Sequence, residues 1–315
     1  MNLDNQASEN QIQDEVSSAA AFQSGETFDH LDADIRELMM LPPRSRINHA
    51  LREIVVRHPA VTSAHAYANW LLFEPKRTRP KGLLVIGPVG SGKSTLGTLI
   101  ENTLAPTSSP NSKGIVSISM TGLTTMRAVF GRILESLNGP VLASQRTADR
   151  ELAVLRVLRS IGCRMLILDE VQDVLKRSPA EQRRALDAIK FLMNEMKLPI
   201  VALGSEDSER AFGEDRHLSA RFKTFHLPIW KQDDVFADFL HSLEMRLPLR
   251  RPSALTTKAA MSFLIKESKG SLDGIMTSIR DATVHAILSG EERITAEILE
   301  KARDVPSIEV LQSVC

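Results

Sequence analysis

Gly87-Pro88-Val89-Gly90-Ser91-Gly92-Lys93-Ser94 satisfies the pattern G-x-x-x-x-G-K-[ST]. The order suits a phosphate chain. Glycines let the backbone wrap so that its N–H groups converge on phosphate oxygens. A helix starting near Lys93 aims the positive end of its dipole at the same anion. Lys93 then reaches the β- and γ-phosphates, and the Ser94 hydroxyl holds Mg²⁺. Thr95 continues the binding stretch into the helix.

A second group lies downstream in "RMLILDEVQDV", where an apolar run ends in Asp169-Glu170. The carboxyl ends of strands in an open α/β sheet line its ligand crevice. There Asp169 can complete the Mg²⁺ shell and Glu170 can polarise an attacking water. An apolar run followed by two acids is a weak pattern alone, since helix starts favour acids. Downstream of a phosphate loop it completes a minimal set for phosphoryl transfer, which depends mostly on positioning and charge stabilisation.

Both groups need a scaffold. From Lys81 to about Pro228 five short apolar runs alternate with amphipathic segments: "GLLVIG" (82–87), "GIVSISM" (114–120), "CRMLILD" (163–169), "PIVALGS" (199–205) and "KTFHLPI" (223–229). Five such strands separated by helices predict an α/β fold, a five-stranded parallel sheet covered on both faces. Residues 231–303 return to helical period, with Ser/Thr caps and glycines at 270 and 290 marking the joints. The expected organisation is a polar tail (1–29), a helical extension (30–75), the nucleotide-binding core (76–229), a small all-helical lid (230–304) and a short C-terminal tail (305–315).

Composition narrows the partners. The 315 residues carry 39 Lys+Arg and 39 Asp+Glu, so any DNA contact must come from a local patch rather than a global field. Aromatics, at 4%, are too scarce for a stacking platform on single strands. Cys163 and Cys315 form neither a disulfide framework nor a zinc set, which fits a reducing cytosol. With no apolar leader and no bilayer-length apolar run, the expectation is a soluble cytoplasmic protein without a membrane partner.

"GPVGSGKS", "LILDEVQDV", "VALGS" and "DRHLSARFKTFHLPIW", followed by a helical segment, resemble an AAA+ ATPase with a lid. The flanking stretches "RINHALREIVVRHPAVTSAHAYANWLLFEP" and "TMRAVFGRILESLNGP" narrow the resemblance to the TniB/TnsC type, ATP-dependent DNA-binding regulators of transposition, over about residues 45–300. The resemblance implies ATP and Mg²⁺ as cofactors and a regulatory ATPase. Ser205 matches the polar sensor position that contacts the attacking water or γ-phosphate; the alternative is a strand-end serine capping the next helix. Arg221 first, and Arg216 second, match arginines that face a neighbouring subunit's nucleotide, against the alternative of ordinary surface arginines. One departure stands out: Asp273, in "GSLDG", occupies the place of a lid arginine that touches the γ-phosphate, leaving Arg280 as a substitute and slow hydrolysis as the expected consequence.

The resemblance also implies an ATP-dependent homo-oligomer, a ring or helical filament, on double-stranded DNA without sequence preference. Its further partners would be a DDE-type transposase and a target-selection adaptor, in the bacterial cytosol at the nucleoid. Candidate backbone contacts are Lys113, Thr121, Thr124, Thr125, Arg127 and Arg132. In the plainer reading Thr124 is a helix cap and the arginines form a solvated face. The basic connector Lys76–Lys81 is either a second patch or a solvated linker. Two rival functions remain at this level: an initiator or helicase-loader ATPase, and a non-DNA signalling ATPase switched by nucleotide.

Overall fold

The structure, a computed structural model, describes residues 27–52, 54, 56, 58–75, 77–104, 114–176 and 178–304. The helices are α1 (Ala33–Leu38), α2 (Pro43–Ala50), α3 (Pro59–Phe73), α4 (Lys93–Leu104), α5 (Met126–Ser136), α6 (Thr147–Ser160), α7 (Gln172–Leu175), α8 (Pro179–Met196), α9 (Glu206–Glu214), α10 (Arg216–Ser219), α11 (Asp234–Glu244), α12 (Lys258–Ser268), α13 (Leu272–Leu288) and α14 (Ala296–Asp304). The strands are β1 (Gly82–Ile86), β2 (Ile115–Ser119), β3 (Met165–Asp169), β4 (Ile200–Gly204) and β5 (Phe222–His226); the first four lie within the expected apolar runs, and β5 starts one residue before the fifth and ends three residues short of its end.

The strands form one parallel sheet in the order β2-β3-β4-β1-β5. The central strands GLLVI and IVALG are buried at every position, as a sheet covered on both faces requires. The edge strand FKTFH is mostly half-buried or exposed. Alternate residues feed two cores. Leu84, Ile86, Leu166, Leu168, Ile200 and Ala202 pack with Phe130, Ile133, Leu158 and Ile189 from α5, α6 and α8. Leu83, Val85, Met165, Ile167, Val201 and Leu203 pack with Ala64, Ala68, Leu96 and Ile100 from α3 and α4.

The chain divides into two compact units, and the division departs from the expected boundaries. Among the described residues, the sheet unit comprises those of 58–231 and 268–274; the helical unit comprises those of 27–56, 232–267 and 275–304. The expected 30–75 extension therefore splits. Helix α3 belongs to the sheet because its small apolar face (Ala64, Ala68) and Leu71 complete a sheet core. Helices α1 and α2 belong to the helical unit because Arg46, 1% exposed, makes two bonds to the Glu292 carboxylate (2.7 and 2.6 Å) and a third to Pro248 O. The Asp32 N–H also donates to Met245 O. The lid loses 268–274 to the sheet unit for a reason given by the phosphate loop.

Candidate active site

Register brings the chemistry together. Ile86 lies opposite both Gly204 and His226, and Ser119 lies opposite Asp169, so the strands end at one level. Strand β4 runs between β1 and β3. The loop after β1 and the acids after β3 therefore flank Ser205, the first residue after β4.

In the loop, Gly90 and Gly92 take φ of +72° and +89°, a left-handed backbone that L side chains rarely adopt. Lys93 is buried, and its Nζ donates to the carbonyls of Gly87 (2.9 Å) and Pro88 (2.7 Å). Burial pushes the Lys93 ammonium below the ordinary lysine range, against the opposing pull of the Glu170 and Asp169 carboxylates. The Ser91 hydroxyl is buried and finds no hydrogen-bond partner among the described residues. Ser94 is exposed and Thr95 half-buried on the first turn of α4. Left-handed glycines, an unpaired buried hydroxyl and a buried lysine fit a phosphate chain, and the Asp169 carboxylate at the neighbouring strand end fits its divalent cation.

The loop also receives residues from beyond the sheet. The Asp273 N–H donates to Gly90 O at 2.9 Å, and Ser271 Oγ donates to the same carbonyl at 3.4 Å. The Trp230 N–H donates to Gly270 O at 2.9 Å, and the buried Trp230 ring packs edge-on against His58. These bonds tie 268–274 to the sheet unit and leave Arg280 in the helical unit.

At the end of β3, Glu170 adopts φ +55°. Asp169 Oδ1 accepts the Glu170 N–H at 2.9 Å, a local bond that supports this turn. Ser205 occupies the N-cap position of α9, yet its side chain makes no cap bond and its hydroxyl is buried without a partner among the described residues. Capping, the plainer reading of Ser205, is not what the structure contains. Sequence reasoning overlooked Gln172. Its amide donates to Glu170 Oε2 and accepts the Ser205 N–H at 3.2 Å. A neutral amide two residues after Glu170, in "DEVQDV", was the available signal.

Arg216 and Arg221 lie elsewhere, around the entry to β5. With Arg77, Arg79, Lys81 and His217 they line an open cleft of about 660 Å³. Arg221 donates to Asn194 Oδ1 at 2.9 Å, and Lys81 to Ala220 O at 3.0 Å. Arg77 pairs with Glu74, whereas Arg79 and Arg216 make no ion pair among the described residues. Asp215 caps α10 through the His217 and Leu218 N–H groups and pairs with Lys190 at 2.8 Å. Burial opposes it, but these bonds hold the Asp215 carboxyl below its usual range.

The DNA candidates sit on the loop after β2 and on α5. Thr121 Oγ1 bonds Ser119 Oγ, and Gly122 N–H donates to Asp173 Oδ2 at 2.8 Å. Thr125, rather than Thr124, caps α5 by accepting the Ala128 N–H. Arg127 donates to Ala143 O, Arg132 is half-buried and Thr124 is exposed. Lys113 and Lys76 lie outside the described residues.

Residues 46–232 match the family model described as Bacterial TniB protein. The chain belongs to the TniB family. No match is found among curated proteins. The TniB chain is similar in fold to solved AAA+ proteins. Aeropyrum pernix ORC1 in complex with DNA is 18% identical, with a TM-score of 0.58 over 82% of this chain and 68% of that one. Drosophila ORC bound to DNA is 16% identical, with a TM-score of 0.55 over 93% and 73%. Domain III of the Thermotoga maritima replication initiation protein DnaA is 15% identical, with a TM-score of 0.51 over 86% and 96%. The TniB chain thus has the AAA+ fold. Among its described residues no helix is long and apolar enough to cross a membrane.

Proposed function

We propose that this TniB chain is a slow ATPase that assembles on duplex DNA when it binds ATP and delivers or activates a DDE-type transposase at target sites. The observation carrying this reading is the convergence of Lys93, Asp169, Glu170 and Ser205 at the ends of three adjacent strands. In it, the backbone N–H groups of the 87–94 loop bind the phosphate chain, and the Lys93 ammonium faces the β- and γ-phosphates. Ser94 and Asp169 would hold Mg²⁺, which neutralises phosphate charge when bound. Glu170 orients the attacking water, and the Ser205 hydroxyl donates to that water or to the γ-phosphate.

The cation cleft supports the oligomer. The nucleotide site lies at the carboxyl ends of the strands, whereas Lys81 and Arg221 immediately precede β1 and β5. A bound nucleotide's phosphates and the cation cleft would stand at opposite ends of one sheet, the arrangement that head-to-tail association into rings or filaments uses. Arg221, with Arg216, acts on the neighbour's nucleotide, so ATP favours the assembled state over the monomer. DNA contacts come from the 121–127 segment, repeated along the assembly. An adaptor that selects targets completes the expected partners. The family supports the transposition context, and two solved proteins of this fold are complexes with DNA.

Titration with ATP and steady-state hydrolysis test the site. Lys93→Ala is expected to lose nucleotide binding, while Glu170→Gln keeps binding and loses turnover by about a hundredfold. Unchanged turnover in Glu170→Gln would contradict the assignment.

A further inference from the structure

Gln172 opens the four-residue helix α7, two residues after Glu170, and is 8% exposed. Its side chain spans two strand ends. Nε2 donates to Glu170 Oε2, and Oε1 accepts the Ser205 N–H at 3.2 Å. The chemistry of the partners fixes the amide's orientation. A flipped amide would set oxygen against carboxylate and N–H₂ against N–H, losing both bonds.

We propose that Gln172 is a positioning residue: it aims the Glu170 carboxylate at the attacking water and couples that aim to the β4 end that carries Ser205. The inference rests on the reading of this site as an ATPase. A glutamate side chain has several free torsions, and fixing them costs up to about 2 kcal/mol in entropy. The bond from Gln172 holds one carboxylate oxygen, and the Glu170 backbone is held at φ +55°. Oε2 is engaged, so Oε1 is the oxygen available to water. A neutral amide does this without cancelling the carboxylate's charge, which a lysine or arginine would do. Because the other end of the amide holds the Ser205 N–H, a shift of the β4 end relative to β3 turns the carboxylate. Water orientation and γ-phosphate contact are thereby set by one side chain.

The test uses the whole 315-residue chain with Mg²⁺-ATP and duplex DNA. Gln172→Met keeps the volume and removes both bonds; Gln172→Glu keeps an acceptor for the Ser205 N–H but loses the donor to Glu170. Both are expected to lower kcat by about ten- to a hundredfold, with KM and nucleotide affinity changed less than about twofold. In a Glu170→Gln background, Gln172→Met should change the residual rate by less than about twofold, since the residue it aims is gone. A purely structural residue would give additive losses and parallel falls in affinity and Tm. A kcat that is unchanged or raised in Gln172→Met and Gln172→Glu, or additive losses in the double variant, would overturn the inference alone, provided Glu170→Gln abolishes turnover. Wild-type turnover no faster than that of Glu170→Gln would overturn the ATPase reading and this inference with it.

Discussion

The backbone N–H of Asp273 donates to the carbonyl of Gly90 at 2.9 Å, which pins the 268–274 segment to the phosphate loop. Gly90 is irreplaceable for two reasons: its φ is +72°, and a Cβ there would meet Ser271 Oγ at 2.5 Å and the Asp273 Cβ at 3.1 Å. Gly90→Ala is expected to lower ATP affinity at least about tenfold, since both the loop and its anchor must shift. Asp273→Asn keeps the backbone bond and removes a negative charge beside the phosphate site. It should tighten ATP binding by about threefold at low salt, an effect that fades as salt is raised. Nucleotide titration at two ionic strengths checks both.

Lys93 predicts a pH dependence. Burial holds its ammonium below the ordinary lysine range, so the protein without nucleotide loses this charge at lower pH than an exposed lysine does. Phosphate binding requires the charged form, and affinity should therefore fall as pH rises through the lowered value. ATP binding in that range should also take up protons. Calorimetry in two buffers of different ionisation enthalpy measures the uptake. Proton release on binding at alkaline pH would contradict the assignment.

The trans arginine predicts complementation. Arg221→Ala and Glu170→Gln should each abolish turnover alone. Mixed in equal amounts, an Arg221→Ala subunit supplies an intact Glu170 and its Glu170→Gln neighbour supplies Arg221, which restores about a quarter of the wild-type rate at random interfaces. No recovery would remove Arg221 from the neighbour's reaction and leave it the structural role of its bond to Asn194.

In the helical unit, Arg46 and Glu292 form a buried pair, at 1% and 13% side-chain exposure. Arg46→Ala strands the Glu292 carboxylate and should destabilise the helical unit by about 3–5 kcal/mol. Chemical denaturation followed by a probe in that unit measures it.

The fold was legible where composition repeats a physical rule. The central apolar runs became strands because strands buried on both faces need no polar positions, whereas the edge strand FKTFH keeps Lys, Thr and His on a partly exposed run. The phosphate loop was legible because its glycines and lysine are required by local geometry, and Gly90 and Gly92 have the left-handed backbone that geometry needs. What stayed hidden depends on pairing across sequence distance. The Arg46–Glu292 pair joins residues 246 positions apart, and no periodicity announces it. The same holds for Gln172 with Ser205, and for Asp273 with Gly90. Trp70 is 47% exposed and stacks on Tyr67, which itself packs against the sheet core that Ala64 and Ala68 complete. Thr125 rather than Thr124 is the cap, a one-residue distinction that depends on where the helix starts.

The most direct test of the central claim is electron microscopy of the chain with duplex DNA, in ATP, a slowly hydrolysed analogue and ADP, beside Lys93→Ala. Rings or filaments on DNA are expected with ATP or the analogue, lost in ADP and absent in Lys93→Ala. Monomers indifferent to DNA in every nucleotide state, or assemblies that form equally without Lys93, would contradict that claim.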